Sequence, residues 1–173
     1  MLIMNIVIIS GPVKITDNNI FIKQLSDIAS RFNITVQALN ADLLSGVRHI
    51  QFAVEKAIRS FESGKNTANN LGMEIMLYAS GSRQIEKALD LGVKNGENRV
   101  AIVLVGENVT DEAVFDVRTL LDSEDATIVD YSDRKKEDLL KIFNITAAEI
   151  EAVGDDKIPE LVLERVALVD VIK

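Results

Sequence analysis

RVAIVLVG, at residues 99–106, is a run of aliphatic and β-branched side chains with no polar alternation after its first position. Such a run reads as a strand buried on both faces. IMNIVII at 3–9 reads the same way, and Gly11-Pro12 marks a turn behind it. ITVQAL at 34–39 alternates as a half-buried strand does, and 126–131 is a candidate edge strand.

Between these runs the rhythm turns helical. Over 18–32, Ile22, Leu25, Ile28, Ala29 and Phe32 share one face, with Asp17 placed to cap. Val47 to Ser63 is the clearest helix: Val47, Ile50, Val54, Ala57, Ile58 and Phe61 recur at i, i+3, i+4, Ser45 stands ahead as a cap, and Gly64 ends it. Leu71–Ala79 is assigned helix on propensity. Ser80-Gly81-Ser82 breaks it before a short helix over Arg83–Leu91, with Ile85, Ala88 and Leu89 inward. Further helices are expected over 111–121 behind Thr110, from Asp133 to Phe143, over 147–153 behind the Thr146-x-x-Glu149 capping box, and over 159–172 behind Pro159. The expected fold is α/β, with α+β as the alternative: one domain over 1–173, holding a small mixed sheet of three to five strands covered by several helices.

Length and charge narrow the function. The 173 residues suit one domain, and the net charge is −8. That charge argues against bulk coating of nucleic acid. It is unevenly spread, however. Residues 1–106 carry 11 basic and 9 acidic side chains, and residues 107–173 carry 8 and 18. A mildly basic part therefore precedes a strongly acidic one.

Catalytic patterns are missing. With no cysteine and one histidine, His49, thiol nucleophiles, zinc-thiolate sites and multi-His metal sites are excluded. Neither a phosphate-loop, nor a dinucleotide, nor a nucleophile-elbow motif occurs. No cofactor and no metal are expected. No apolar run reaches the length of a membrane span, so the expectation is a cytoplasmic protein with no membrane partner.

The basic residues are grouped. His49, Lys56 and Arg59 lie along one flank of the 47–63 helix, and Arg83 and Lys87 fall four apart. Ser82, Gln84 and Lys94 neighbour the second pair in sequence. The Ser-Gly-Ser break would offer backbone N–H groups at a helix start, where anions bind. Ordinary salt pairing with Glu86 and Asp90 explains the same residues, and both readings stay open. In the acidic part, PELVLERVALVDVIK at 159–173 is apolar most of the way round. Its helix needs burial on several sides, against this chain or against a partner.

Four blocks carry a family resemblance: HIQFAVEKAI at 49–58, NLGMEIMLYASGSRQIEKALDLGVKNG at 70–96, FNITAAEI at 143–150 and LVLERVALVDV at 161–171. With RVAIVLVG, they resemble the small regulatory subunit of the KEOPS complex, the PRPK-binding protein (TPRKB) family, in its archaeal type. The resemblance implies a non-catalytic subunit of the complex that makes N6-threonylcarbamoyladenosine (t6A) in tRNA. It implies a kinase-like ATPase subunit as partner, tRNA held through its 3′ CCA end, and the threonylcarbamoyl transferase subunit as an indirect partner. Arg83, Lys87, His49, Lys56, Arg59, Ser82, Gln84 and Lys94 are the candidate RNA side, with His49 or Tyr78 against a terminal base. Glu74 is given a structural role. Ile145, Ile150, Val153, Leu161, Val162 and Leu168 are the candidate partner surface. The alternative is a pure protein-interaction adaptor of the kinase subunit with no RNA contact.

Overall fold

A computed structural model describes residues 3–172 as two compact units, one of the residues up to Ala41 with Gly92–Ile128, the other of Asp42–Leu91 with the residues from Val129 onward. The first unit holds the sheet. β1 (Asn5–Ile15), β2 (Thr35–Asn40) and β3 (Gly96–Gly106) lie in the order β1-β3-β2, so RVAIVLVG is the central strand. Residues Val100–Gly106 are all buried, as the unbroken apolar run required. The mixed α/β architecture and the small, helix-covered sheet match expectation, but both pairings are antiparallel rather than mixed.

Gly11-Pro12 is not a turn. β1 continues through it, with Gly11 opposite Val100 and Pro12 opposite Arg99. The reason is the period of two: Ile9, Val13 and Ile15 all face the same core, with Val7 at its margin. Pro12 is tolerated because β1 is an edge strand and its carbonyl points outward, accepting from Asp122 N at 3.0 Å. Ser10 O takes Asp125 N at 2.8 Å in the same way. The 122–125 segment thus covers the open edge, and it runs so close that a Cβ on Gly11 would lie 2.0 Å from Ser123 O.

α1 (Asn18–Phe32) starts where Asp17 Oδ1 accepts Asn19 N at 3.0 Å. Phe21, Leu25 and Ile28 are its buried face, whereas Ile22, expected inward, is exposed. α5 (Asp111–Arg118) is capped by Thr110, as expected, and packs on α1. Residues Ala126–Val129 form a 3₁₀ turn, not an edge strand, because the edge beside β1 is already occupied.

The second unit is helical. α2 (Val47–Glu62), α3 (Leu71–Ala79) and α4 (Ile85–Leu89) are followed, after the first unit's β3 and α5, by α6 (Lys136–Ile142), α7 (Ala147–Val153) and α8 (Ile158–Leu168). α2 packs on α3, and α8 packs on both. α4 begins two residues later than the sequence suggests, so Arg83 precedes it. Only Ala88 turns inward; Ile85 and Leu89 are 50% and 56% exposed, because five residues make little more than one turn and bury a single position. α7 starts at the expected cap, with Thr146 Oγ1 accepting Glu149 N at 3.1 Å. α8 stops at Leu168, short of the expected 172. Among the described residues, no helix is long and apolar enough to cross a membrane.

Candidate nucleic-acid interface

The basic residues of the second unit sort by which face of α2 they occupy. His49 is on the buried face, 1% exposed. Its Nδ1 accepts Ser45 N at 3.2 Å and its Nε2 donates to Ala79 O at 2.8 Å. Both ring nitrogens are used by backbone, and Phe143 meets the ring edge-on at 5.4 Å. Burial is the main reason its pKa falls to about 4, with the Lys135 charge adding to it against the Ala79 hydrogen bond. The neutral ring is internal structure, out of reach of a base. Ser45 serves through its backbone, not as the expected side-chain cap. Gly46, at φ +131°, takes the N-cap position.

Lys56 and Arg59 are on the other flank, half-buried and exposed respectively. The chain leaves α2 through Gly64, at φ +70°, and Lys65 N returns to Ser60 O at 2.8 Å. This turn brings Lys65 back beside Arg59. The following loop is tied down by Glu74, a buried residue of α3. Its carboxylate accepts Ser60 Oγ at 2.6 Å, Ala68 N at 2.9 Å and Thr67 N at 3.1 Å. Thr67 Oγ1 in turn accepts Arg83 NH1 at 2.9 Å, while Arg83 Nε donates to Val169 O at 2.9 Å.

These segments enclose a cleft of about 350 Å³. Lys56, Arg59, Lys65 and Arg83 supply four cations to it, against one carboxylate, Asp170; Ser60, Ser63 and Tyr78 complete the lining. Asp170 pairs with Lys56 Nζ and accepts the Tyr78 hydroxyl at 2.6 Å. Burial and the hydrogen bond to Asp170 push the Tyr78 hydroxyl up to about 12. The Tyr78 ring is itself buried, so it offers an edge and a hydroxyl rather than an open stacking face.

Lys56, Arg59 and Arg83 therefore meet in one cleft. Lys87 faces another, of about 330 Å³, beside Lys141, Asp90 and Asp138. Arg83 and Lys87 do not share a helix, so the expected i, i+4 pair is absent. Ser82 is buried, its hydroxyl accepting Gln84 N at 3.0 Å, while Gln84 is exposed. Lys94 is exposed in the first unit. Lys65 and Asp170 went unnoticed in the sequence. The helix-ending glycine was the available signal for Lys65, since such a cap folds the chain back on the helix.

The candidate partner residues divide as well. Ile145, Leu161 and Val162 are buried in a cluster with Leu139, Phe143 and Ile158, and Ile150 packs half-buried against it. Those side chains are core. Val153 and Leu168 are 45% and 41% exposed, and Val171 and Ile172 are exposed beyond α8.

Comparison with known proteins identifies relatives of the chain. The profile of the family described as "Kinase binding protein CGI-121" matches residues 13–170. The chain is 30% identical over 139 residues to "Regulatory protein Cgi121" of Methanocaldococcus jannaschii, covering 79% of this chain and 84% of that one. It is 38% identical over 64 residues to "KEOPS complex subunit Cgi121" of Pyrococcus abyssi, covering 35% and 37%. A match over residues 13–170 leaves little of the chain outside it, and the protein belongs to the CGI-121 family of kinase binding proteins.

Proposed function

We propose that the protein is the small regulatory, non-catalytic subunit of a KEOPS-type complex in the cytoplasm. It docks on the kinase-like ATPase subunit and holds tRNA by its single-stranded 3′ CCA end while the transferase subunit installs the t6A modification. The kinase contact is supported by the description of the family as kinase binding proteins, and the KEOPS assignment by the name of the Pyrococcus abyssi relative. Val153, Leu168, Val171 and Ile172 supply the exposed apolar surface for it.

One observation carries the RNA reading. Four cations from three separate segments converge on a single cleft in a chain whose net charge is −8. Concentrating positive charge locally, against the sign of the whole molecule, suits a phosphate backbone. The lining is cationic with few groups that read bases, so the cleft would hold an end common to all tRNAs.

The adaptor reading, with no RNA contact, is favoured by the carboxylate that already sits among those cations. A gel shift separates the two. Whole tRNA is retained at low salt and tRNA lacking its CCA end is not. Equal retention of both removes the acceptor-end assignment, and retention of neither leaves the adaptor.

A further inference from the structure

The cleft is unusual in what fills it. Asp170 places one carboxylate oxygen on Lys56 Nζ and the other 2.6 Å from the Tyr78 hydroxyl. A carboxylate between a cation and a hydroxyl donor, with Arg83 nearby, reproduces the surroundings of a bound phosphate oxygen. Burial works against the charge, yet the hydrogen bonds from Lys56 and Tyr78 and the charges of Lys56 and Arg83 hold Asp170 below the usual carboxylate range. The carboxylate is thus held as an anion.

We propose that Asp170 is a built-in competitor: its carboxylate occupies the seat of a phosphate group and must swing out before the cleft can take one. This rests on the reading of the cleft as a site for an anionic strand and adds its regulation. The geometry permits the swing. Val169 is anchored by its buried side chain and by Arg83 on its carbonyl, so the backbone stays. The Asp170 side chain is 45% exposed and has solvent to turn into. Leaving frees Lys56 Nζ and the Tyr78 hydroxyl together. Asp170 is also followed directly by the exposed Val171 and Ile172, so a protein bound there bears on the same residue. Any partner that draws Asp170 away tightens anion binding, and the anion tightens the partner by the same factor.

The test uses the full chain and inorganic pyrophosphate, followed by amide chemical shifts. Asp170→Asn binds pyrophosphate at least fivefold more tightly than the wild type. Glu160→Gln, which removes the same charge from another groove, changes it less than twofold. In a Lys56→Gln background the gain from Asp170→Asn disappears. Equal or weaker binding by Asp170→Asn, an equal gain from Glu160→Gln, or no binding by either protein overturns the proposal. The wild type gives a second readout that needs no variant. Saturating pyrophosphate raises the titration midpoint of the Asp170 carboxyl carbon, because its donors have turned to the anion; an unmoved midpoint overturns the proposal. tRNA run in parallel keeps the two readings apart. A gain on pyrophosphate with no tRNA retained removes the RNA reading alone. Retained tRNA with no gain on either ligand removes the competitor alone.

Discussion

Nε2 of His49 lies 2.8 Å from the carbonyl oxygen of Ala79, joining the first turns of α2 to the end of α3. The ring is neutral, and the sign of its pH dependence follows. Its folded pKa, about 4, is below the unfolded value of 6.5, so the unfolded chain binds more protons between the two. The stabilisation is present above pH 6.5 and is lost as pH falls toward 4. Between pH 7 and pH 5 this one residue should remove about 2 kcal/mol of stability. Urea unfolding at both pH values measures it, and His49→Gln should flatten that part of the profile.

Glu74 predicts a coupled loss. Glu74→Ala strands the Thr67 and Ala68 amides, both in the loop that orients Arg83 through Thr67, while Ser60 Oγ keeps the Ala57 carbonyl as its acceptor. The cost should be about 3 kcal/mol. Hydrogen exchange should accelerate at Thr67 and Ala68 before it does so in α2. Glu74→Gln, which keeps an acceptor, should recover part of both.

Arg59 and Lys65 are the cleanest tests of the cleft, being exposed and outside the Glu74 and Asp170 networks. Arg59→Glu or Lys65→Glu should weaken tRNA binding and lower the salt slope by roughly one unit each, leaving kinase-subunit binding unchanged. Filter binding at two salt concentrations reads both quantities. Arg83→Glu should also weaken tRNA binding, but it should cost stability too, since Arg83 holds Val169 and Thr67.

The candidate partner surface divides by burial. Leu168→Glu and Val153→Glu should reduce capture by the kinase subunit at least tenfold with the melting temperature nearly unchanged. Val162→Glu should unfold the second unit, because a charge there enters the cluster of Leu139, Phe143 and Ile158. Pull-down and thermal melting on the same samples distinguish the cases.

Gly11→Ala tests the covered sheet edge. Its methyl would collide with Ser123 O, so the 122–125 segment must move off β1. A loss of about 1–3 kcal/mol is expected, with the Asp125 amide losing protection first.

Local signals carried much of the fold. RVAIVLVG announced the central strand because nothing polar interrupts it. Asp17, Thr110 and Thr146 announced three helix starts because a cap bonds to amides two or three residues away. Lys56, Arg59 and Arg83 were legible as candidates from their charge. Family membership was legible in the blocks between 49 and 171. Partners distant in sequence decided the rest. Gly11-Pro12 is strand, not turn, because β3 pairs with it and the 122–125 segment takes its outward carbonyls. His49 is buried, although its helical position allowed the flank, because Ala79 and Ser45 satisfy its ring. Asp170, one acid among 27, becomes the occupant of a cationic cleft only when α8 packs on α2 and α3. Spacing along a chain reports what a residue can do within a turn or two of helix. Which charge meets which across 100 residues is set by packing, and packing is what assembled the cleft.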